Sequence, residues 1–306
     1  LQNAALFAEL EVAANYCSLT GLPNRHRFVK LVDELRAARL SVTVALIDLR
    51  DFSSISQGLG FEVADSLLKE VANRLVGQFR HRSCHVARLG ADVFAIVAPG
   101  DSIRSDEVLR CFQAPINIDI HEIHVDVAIG LDTADDRTQH ASSDIVRRAE
   151  IALDHAKVER RVRSRTYSDQ MGERVRSDLA LIRDMRTAFL KAEFEVWYQP
   201  QFDFKTDKAI GAEALLRWRK PDGSFVSPLH FVPLAEKTGL IRELGHWVLQ
   251  RALADFARLP GTPRISINIS PAEVRDGDFG TRVVHAIERA GIPASRVTLE
   301  ITESSF

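Results

Sequence analysis

Five polar side chains in the second half of the sequence, Gln199, Glu213, Arg217, Asn268 and Glu300, are of types that handle phosphate esters. Glu213 and Glu300 are carboxylates and Asn268 an amide. All three are hard oxygen donors of the kind that Mg²⁺ or Mn²⁺ takes, and a divalent ion is the usual aid to phosphodiester hydrolysis. Arg217 follows Glu213 by four residues and carries a planar guanidinium, which can hold a phosphate through two parallel hydrogen bonds. Glu303 lies three residues beyond Glu300. The same residues would also serve as solvated strand ends, with Glu300 and Glu303 at the start of a following helix, whose positive end favours carboxylates.

The elements that must position them read as strands alternating with helices. Phe194 to Phe204, Ala209 to Trp218, Arg264 to Ser270 and Val297 to Thr302 have strand patterns, with helical patterns at about 230 to 258 and 278 to 290. This is a βα series, and in a parallel barrel the strand C-termini carry the chemistry. The helix before the last strand stops at Ala290-Gly291-Ile292-Pro293, where glycine can take the left-handed cap and proline forbids continuation.

The first half is also α/β. Val42 to Asp48, His85 to Leu89, Phe94 to Ala98, Ile116 to Ile120 and Ile123 to Leu131 read as strands, and Gly60 to Arg80 and Ser142 to Arg161 as helices. A polar, arginine-rich stretch from Arg160 to Asp169 leads to a further helix from about Arg176 to Lys191. This organisation divides the chain into a connector helix at 1–16, a first domain at 17–167, a linker at 168–180 and a second domain at 181–306.

Tyr198-Gln-Pro, Glu213-Ala-Leu-Leu-Arg-Trp218, Phe231-Val-Pro-Leu-Ala-Glu-Lys-Thr-Gly239, Asn268-Ile-Ser270 and Leu299-Glu-Ile-Thr-Glu-Ser304 resemble the EAL phosphodiesterase family in order and spacing. The resemblance implies an EAL-type TIM (β/α)8 barrel that opens cyclic-di-GMP to linear pGpG with Mg²⁺ or Mn²⁺. It implies Glu213, Asn268 and Glu300 as metal ligands, with Glu213 and Glu300 catalytic. It further implies Gln199, Leu215 and Arg217 as nucleotide contacts and Glu303 as the residue that steadies a loop at the metal site. The chain ends at Phe306, about four strands into that fold. The family's Asp-Asp pair, catalytic lysine and later glutamate would lie further on, so this piece alone is expected to be inactive.

The first half resembles the GGDEF diguanylate cyclase family through Leu19-Thr-Gly-Leu-Pro-Asn-Arg25, Ile47-Asp-Leu-Arg-Asp-Phe52 and the signature stretch Arg88-Leu-Gly-Ala-Asp-Val-Phe94. In that family the signature is a hairpin turn whose glycines admit the nucleotide and whose acids bind metal. Gly90 and Asp92 keep their types, while Ala91 and Val93 replace glycine and glutamate. By the same resemblance Asp48 and Asp92 are metal candidates, Asp65 a guanine contact, and Lys157 and Arg161 phosphate contacts. Ser53 and Ser56 stand where the family places a lysine and an asparagine, and His81-Arg-Ser-Cys84 lacks the inhibitory-site residues. The expectation is a degenerate module without cyclase activity, regulatory or dimerising, with GTP as a regulatory ligand. The alternative for the whole protein is a non-catalytic cyclic-di-GMP receptor.

Composition narrows the rest. The 40 basic and 42 acidic residues leave a formal net charge of -2, so no global field favours nucleic acid or an anionic membrane. The arginines at 160, 161, 163 and 165 lack interleaved aromatics and read as a solvated helix end. Cys17, Cys84 and Cys111 have no metal or disulfide spacing and suit a reducing cytoplasm. The longest apolar runs, such as Val42 to Ile47, are far short of the ~20 residues of a membrane helix. The expected location is the cytoplasm or the cytoplasmic face of a membrane-bound parent with an upstream sensor, and the expected assembly a homodimer.

Overall fold

The computed structural model describes residues 10–38, 40–80, 83–135, 141–159, 161–259 and 263–301. The chain divides into two units, Leu1–Val175 and Arg176–Phe306, with separate cores. No helix among the described residues is long and apolar enough to cross a membrane.

In the first unit, residues 10–15 are helical. There follow α1 (Arg25–Ala37), β1 (Val42–Leu49), α2 (Phe52–Leu59), α3 (Phe61–Phe79), β2 (His85–Arg88), β3 (Val93–Pro99), α4 (Ser105–Arg110), β4 (Ile116–Ile118), β5 (His121–Ile123), β6 (Val127–Ala134), α5 (Ser142–Val158) and β7 (Ser164–Thr166). The main sheet runs β2-β3-β1-β6-β7. All eight residues of β1 are buried, because helices cover both faces. Ala45, Ile47 and Leu49 join the α3 side of the core, while Val42, Val44 and Leu46 join the side formed by α1 and α5. Asp48 shares the parity of Leu46 and therefore emerges on the α5 side, at the strand's end. A Cβ on Gly130 of β6 would lie 2.2 Å from Ala149 O and 2.3 Å from Leu153 N of α5, so glycine there allows that helix its close approach.

Two expectations change here. The strand predicted from Ile123 to Leu131 is divided: Ile123 closes the β4–β5 hairpin, whose turn has Asp119 at φ 51, and pairing with β1 begins only at Val127. The polar stretch after α5 contributes β7, which pairs in parallel with β6.

The unit boundary falls within α6 (Asp169–Leu190), so most of the segment expected as a linker is helical. The second unit continues with β8 (Phe194–Asp203), β9 (Lys208–Arg219), β10 (Phe225–Val226), α7 (Pro228–Thr238), α8 (Ile241–Ala257), β11 (Arg264–Ile269), α9 (Pro271–Val274), α10 (Phe279–Ala290) and β12 (Val297–Ile301). β9, β11 and β12 run parallel in that order, whereas β8, through a hairpin, and the short β10 both pair with β9 antiparallel. Asp203 Oδ1 accepts from Lys205 N at 2.7 Å in that turn. The helical pattern expected across 230 to 258 is two helices, because Gly239 takes the left-handed conformation (φ 79) that ends α7.

Strand alternation sorts this sheet into two faces. Ala212, Ala214, Ile265, Ile267 and Ile269 point to the core with α8 and α10. Trp218 and Phe194 pack with Phe231 and Met185 in an adjoining cluster.

Candidate functional site

The opposite face of the same sheet carries the polar residues. Gln199 is the register partner of Glu213 across β8 and β9, and Asn268 that of Glu300 across β11 and β12. Asn268 Nδ2 donates to Glu213 Oε1 at 2.6 Å. These side chains thus stand together across four adjacent strands. Leu215 and Arg217 follow Glu213 on the same face by parity. Arg217 Nη1 donates to Leu216 O at 3.0 Å, and its guanidinium lies 5.9 Å from the centre of the Trp197 ring. Glu303 lies outside the described residues.

Among the described residues no group of three His, Cys, Asp or Glu side chains is placed to hold a metal ion. The local set here is two carboxylates and one amide, all capable of offering oxygen, and that donor chemistry fits Mg²⁺ or Mn²⁺ with further ligands from elsewhere.

A cleft of about 650 Å³ runs past Leu215, Arg217 and Asn268 to Glu236, Ser270 and Glu273; Gln199, Glu213 and Glu300 are not among its lining residues. Ser270 is the N-cap of α9 and is held at both its polar atoms. Its N–H donates to Glu273 Oε2 at 2.9 Å, and its Oγ donates to Glu236 Oε1 at 2.7 Å. The Ser270-x-x-Glu273 pair is a capping box. Glu273 is 4% exposed, and burial pushes its carboxyl up to about 7, with Glu236 adding to the rise and Ser270 N–H and Arg282 opposing it. A Cβ on Gly245 of α8 would lie 2.0 Å from Glu273 Oε1, so the space that the carboxyl occupies depends on the absence of a side chain at 245. Sequence reasoning passed over Glu236, Gly245 and Glu273; the capping-box spacing was the one local signal of them.

A second cleft, of about 400 Å³, opens at the end of β1 in the first unit. It is lined by Asp48, Leu49, Arg50, Asp51, Phe52, Ser53, Asp92, Asp126 and Lys157. Asp48 is 4% exposed and receives Lys157 Nζ at 2.6 Å. Arg50, also missed from sequence, donates through Nη2 to Ala156 O at 2.7 Å and to Val162 O at 3.1 Å, which fixes the end of α5 that presents Lys157. Gly90, Ala91 and Asp92 lie in the β2–β3 connection and Val93 opens β3; Leu89 N donates to Val93 O at 2.8 Å and Arg88 Nη2 to Ala91 O at 2.6 Å. Asp65 and Arg161 are exposed and are not among the lining residues.

Known proteins resemble both units. Residues 182–306 match the EAL domain family and residues 14–163 the diguanylate cyclase, GGDEF domain family. An uncharacterized signaling protein of Caulobacter vibrioides is 33% identical across 97% of the chain, which covers 38% of that relative. The bifunctional diguanylate cyclase/cyclic di-GMP phosphodiesterase MucR of Pseudomonas aeruginosa is 30% identical across 97% of the chain, which covers 45% of it. The chain therefore spans less than half the length of these relatives. Among solved structures, the S helix-GGDEF-EAL portion of Vibrio cholerae LapD, bound to c-di-GMP, aligns over 99% of the chain and 73% of its own length with a TM-score of 0.61. At 16% identity this likeness speaks for the fold. The two family matches, in the order and positions of the two units, make the chain a GGDEF-family domain followed by an EAL-family domain.

Proposed function

We propose that the complete protein hydrolyses cyclic-di-GMP to linear pGpG at the polar face of the second unit, and that the first unit regulates without making cyclic-di-GMP. The observation that carries the reading is the Asn268 to Glu213 hydrogen bond of 2.6 Å, which gathers residues from β9 and β11 beside Gln199 and Glu300. The name of MucR includes this activity, at 30% identity.

In this reading Glu213, Asn268 and Glu300 would hold a divalent ion, which supplies Lewis acidity and an activated water. Arg217 holds a phosphate of the substrate through its guanidinium. Gln199, opposite Glu213 on β8, and Leu215, two residues along β9, bear on the nucleotide. For the first unit, Asp48 is already engaged by Lys157, Ser53 lines the cleft without a positive charge, and Val93 stands at an acid position of the signature. GTP is its proposed regulatory ligand.

The test is turnover of cyclic-di-GMP by the complete protein with Mg²⁺ or Mn²⁺, with and without GTP, beside Glu213→Ala. The expected result is linear pGpG from the wild type and none from the variant. Binding without turnover by the wild type would instead make the protein a receptor.

A further inference from the structure

Asn268 donates to Glu213 on the polar face, and the two residues that follow it are held in place. Ile269, the next residue, is 3% exposed in the core. Ser270, one further on, is where β11 passes into α9, and it is fixed at its N–H by Glu273 and at its Oγ by Glu236. A capping box needs only the first of these bonds. The second comes from a different element, 34 residues earlier in sequence, and does nothing for the α9 cap. Ser270 Oγ also accepts from Ala272 N at 3.2 Å, so its one proton is committed to Glu236.

We propose that Glu236, acting through Ser270, is a positioning residue for Asn268: α7 holds the end of β11 so that the amide meets Glu213 in the arrangement that receives a divalent ion. The proposal rests on the phosphodiesterase reading of the face. Partners one shell removed from a metal ligand commonly set its affinity by about 10- to 100-fold. Glu236 reaches Asn268 through two residues of backbone, and the lower end of that range applies.

The experiment measures Mn²⁺ binding to the complete protein by the loss of the free-ion electron paramagnetic resonance signal, which needs no turnover. Glu236→Ala and Ser270→Ala each break the bond between α7 and the strand end, while Glu236→Gln keeps an acceptor of the same shape. The expected result is Mn²⁺ affinity lower by about tenfold in both alanine variants and restored in Glu236→Gln. Equal affinity in wild type and both alanine variants overturns the proposal, as does a loss in Glu236→Gln equal to that in Glu236→Ala, because a retained acceptor should suffice. If Glu236→Ala does not fold, as judged by circular dichroism, Ser270→Ala carries the test, since it removes one hydroxyl. A wild type that binds Mn²⁺ but leaves cyclic-di-GMP intact defeats the phosphodiesterase reading alone, and the affinity comparison still decides on Glu236. A wild type that binds no Mn²⁺ defeats both.

Discussion

Asn268 Nδ2 and Glu213 Oε1, 55 residues apart in sequence, meet at 2.6 Å across neighbouring parallel strands. Neither is deeply buried: Asn268 is exposed and Glu213 half-buried. Their contact therefore owes little to core packing and can be altered at small cost to the fold.

Replacing Glu213 by glutamine keeps the shape and removes the charge. Hydrolysis of cyclic-di-GMP by the complete protein should fall by at least about 100-fold, beyond the range usual for residues one shell out from a metal ligand. The thermal midpoint should stay within about 2 °C of wild type, as for most substitutions outside the core. Steady-state assay and calorimetry on one preparation check both.

Arg217→Ala removes a charge-assisted, two-pronged phosphate contact, worth roughly 1.5–3 kcal/mol. The expected effect is a rise of about 10- to 100-fold in the KM for cyclic-di-GMP. Arg217→Lys should recover only part of it, because an ammonium cannot match the planar fork.

Lys157 is the partner of a nearly buried carboxylate, Asp48, although its own side chain is 46% exposed. Lys157→Met strands that charge and should destabilise the first unit by about 1–2 kcal/mol, discounted for the exposure of the lysine. Adding Asp48→Asn should return most of the loss, which a double-mutant cycle in urea would read.

Glu273 has a folded-state carboxyl raised from 4.5 to about 7, mainly by burial. The folded protein therefore holds this proton more tightly than the unfolded chain does, and stability falls as pH rises from about 4.5 to about 7. The span corresponds to an upper bound of about 3 kcal/mol at ~1.36 kcal/mol per pH unit. Glu273→Gln should flatten that part of the stability profile and raise the thermal midpoint at pH 8. A profile identical to wild type would contradict it.

Cys17 and Cys111 should differ in reactivity. Burial raises the Cys17 thiol, but hydrogen bonds from Thr20, Arg88 and Leu19 outweigh it and bring the value to about 7, whereas burial raises Cys111. At pH 7.5 iodoacetamide should label Cys17 well before Cys111, as mass spectrometry of the tryptic peptides would show.

In sequence, residues 199, 213, 217, 268 and 300 were legible at or near strand ends and tied together by motif order; the structure sets 199 opposite 213 and 268 opposite 300. The two-unit α/β order was legible from the alternation of strand and helix patterns along the chain. What failed was tertiary in origin. Nothing local marks Ser164–Thr166 as a strand in an arginine-rich stretch, since its pairing with β6 supplies the reason. The break after Ile123 depends on where β1 begins to pair. The bond between Glu236 and Ser270 spans two elements, so neither residue's neighbours announce it. Arg50 reads as one more arginine until the end of α5 is laid beside it.

Gly245 contributes no functional group, and yet a single methyl there would collide with Glu273 Oε1. To keep that carboxyl in its place, α8 accepts the roughly 1 kcal/mol by which glycine is a poorer helix residue than alanine. A design program told to raise helix propensity would choose Gly245→Ala among its first changes and would push the Glu273 carboxyl out of its present place toward the cleft that both residues line. A survey that ranks positions by the chemistry they carry would place residue 245 last, though it decides where the Glu273 carboxyl can sit.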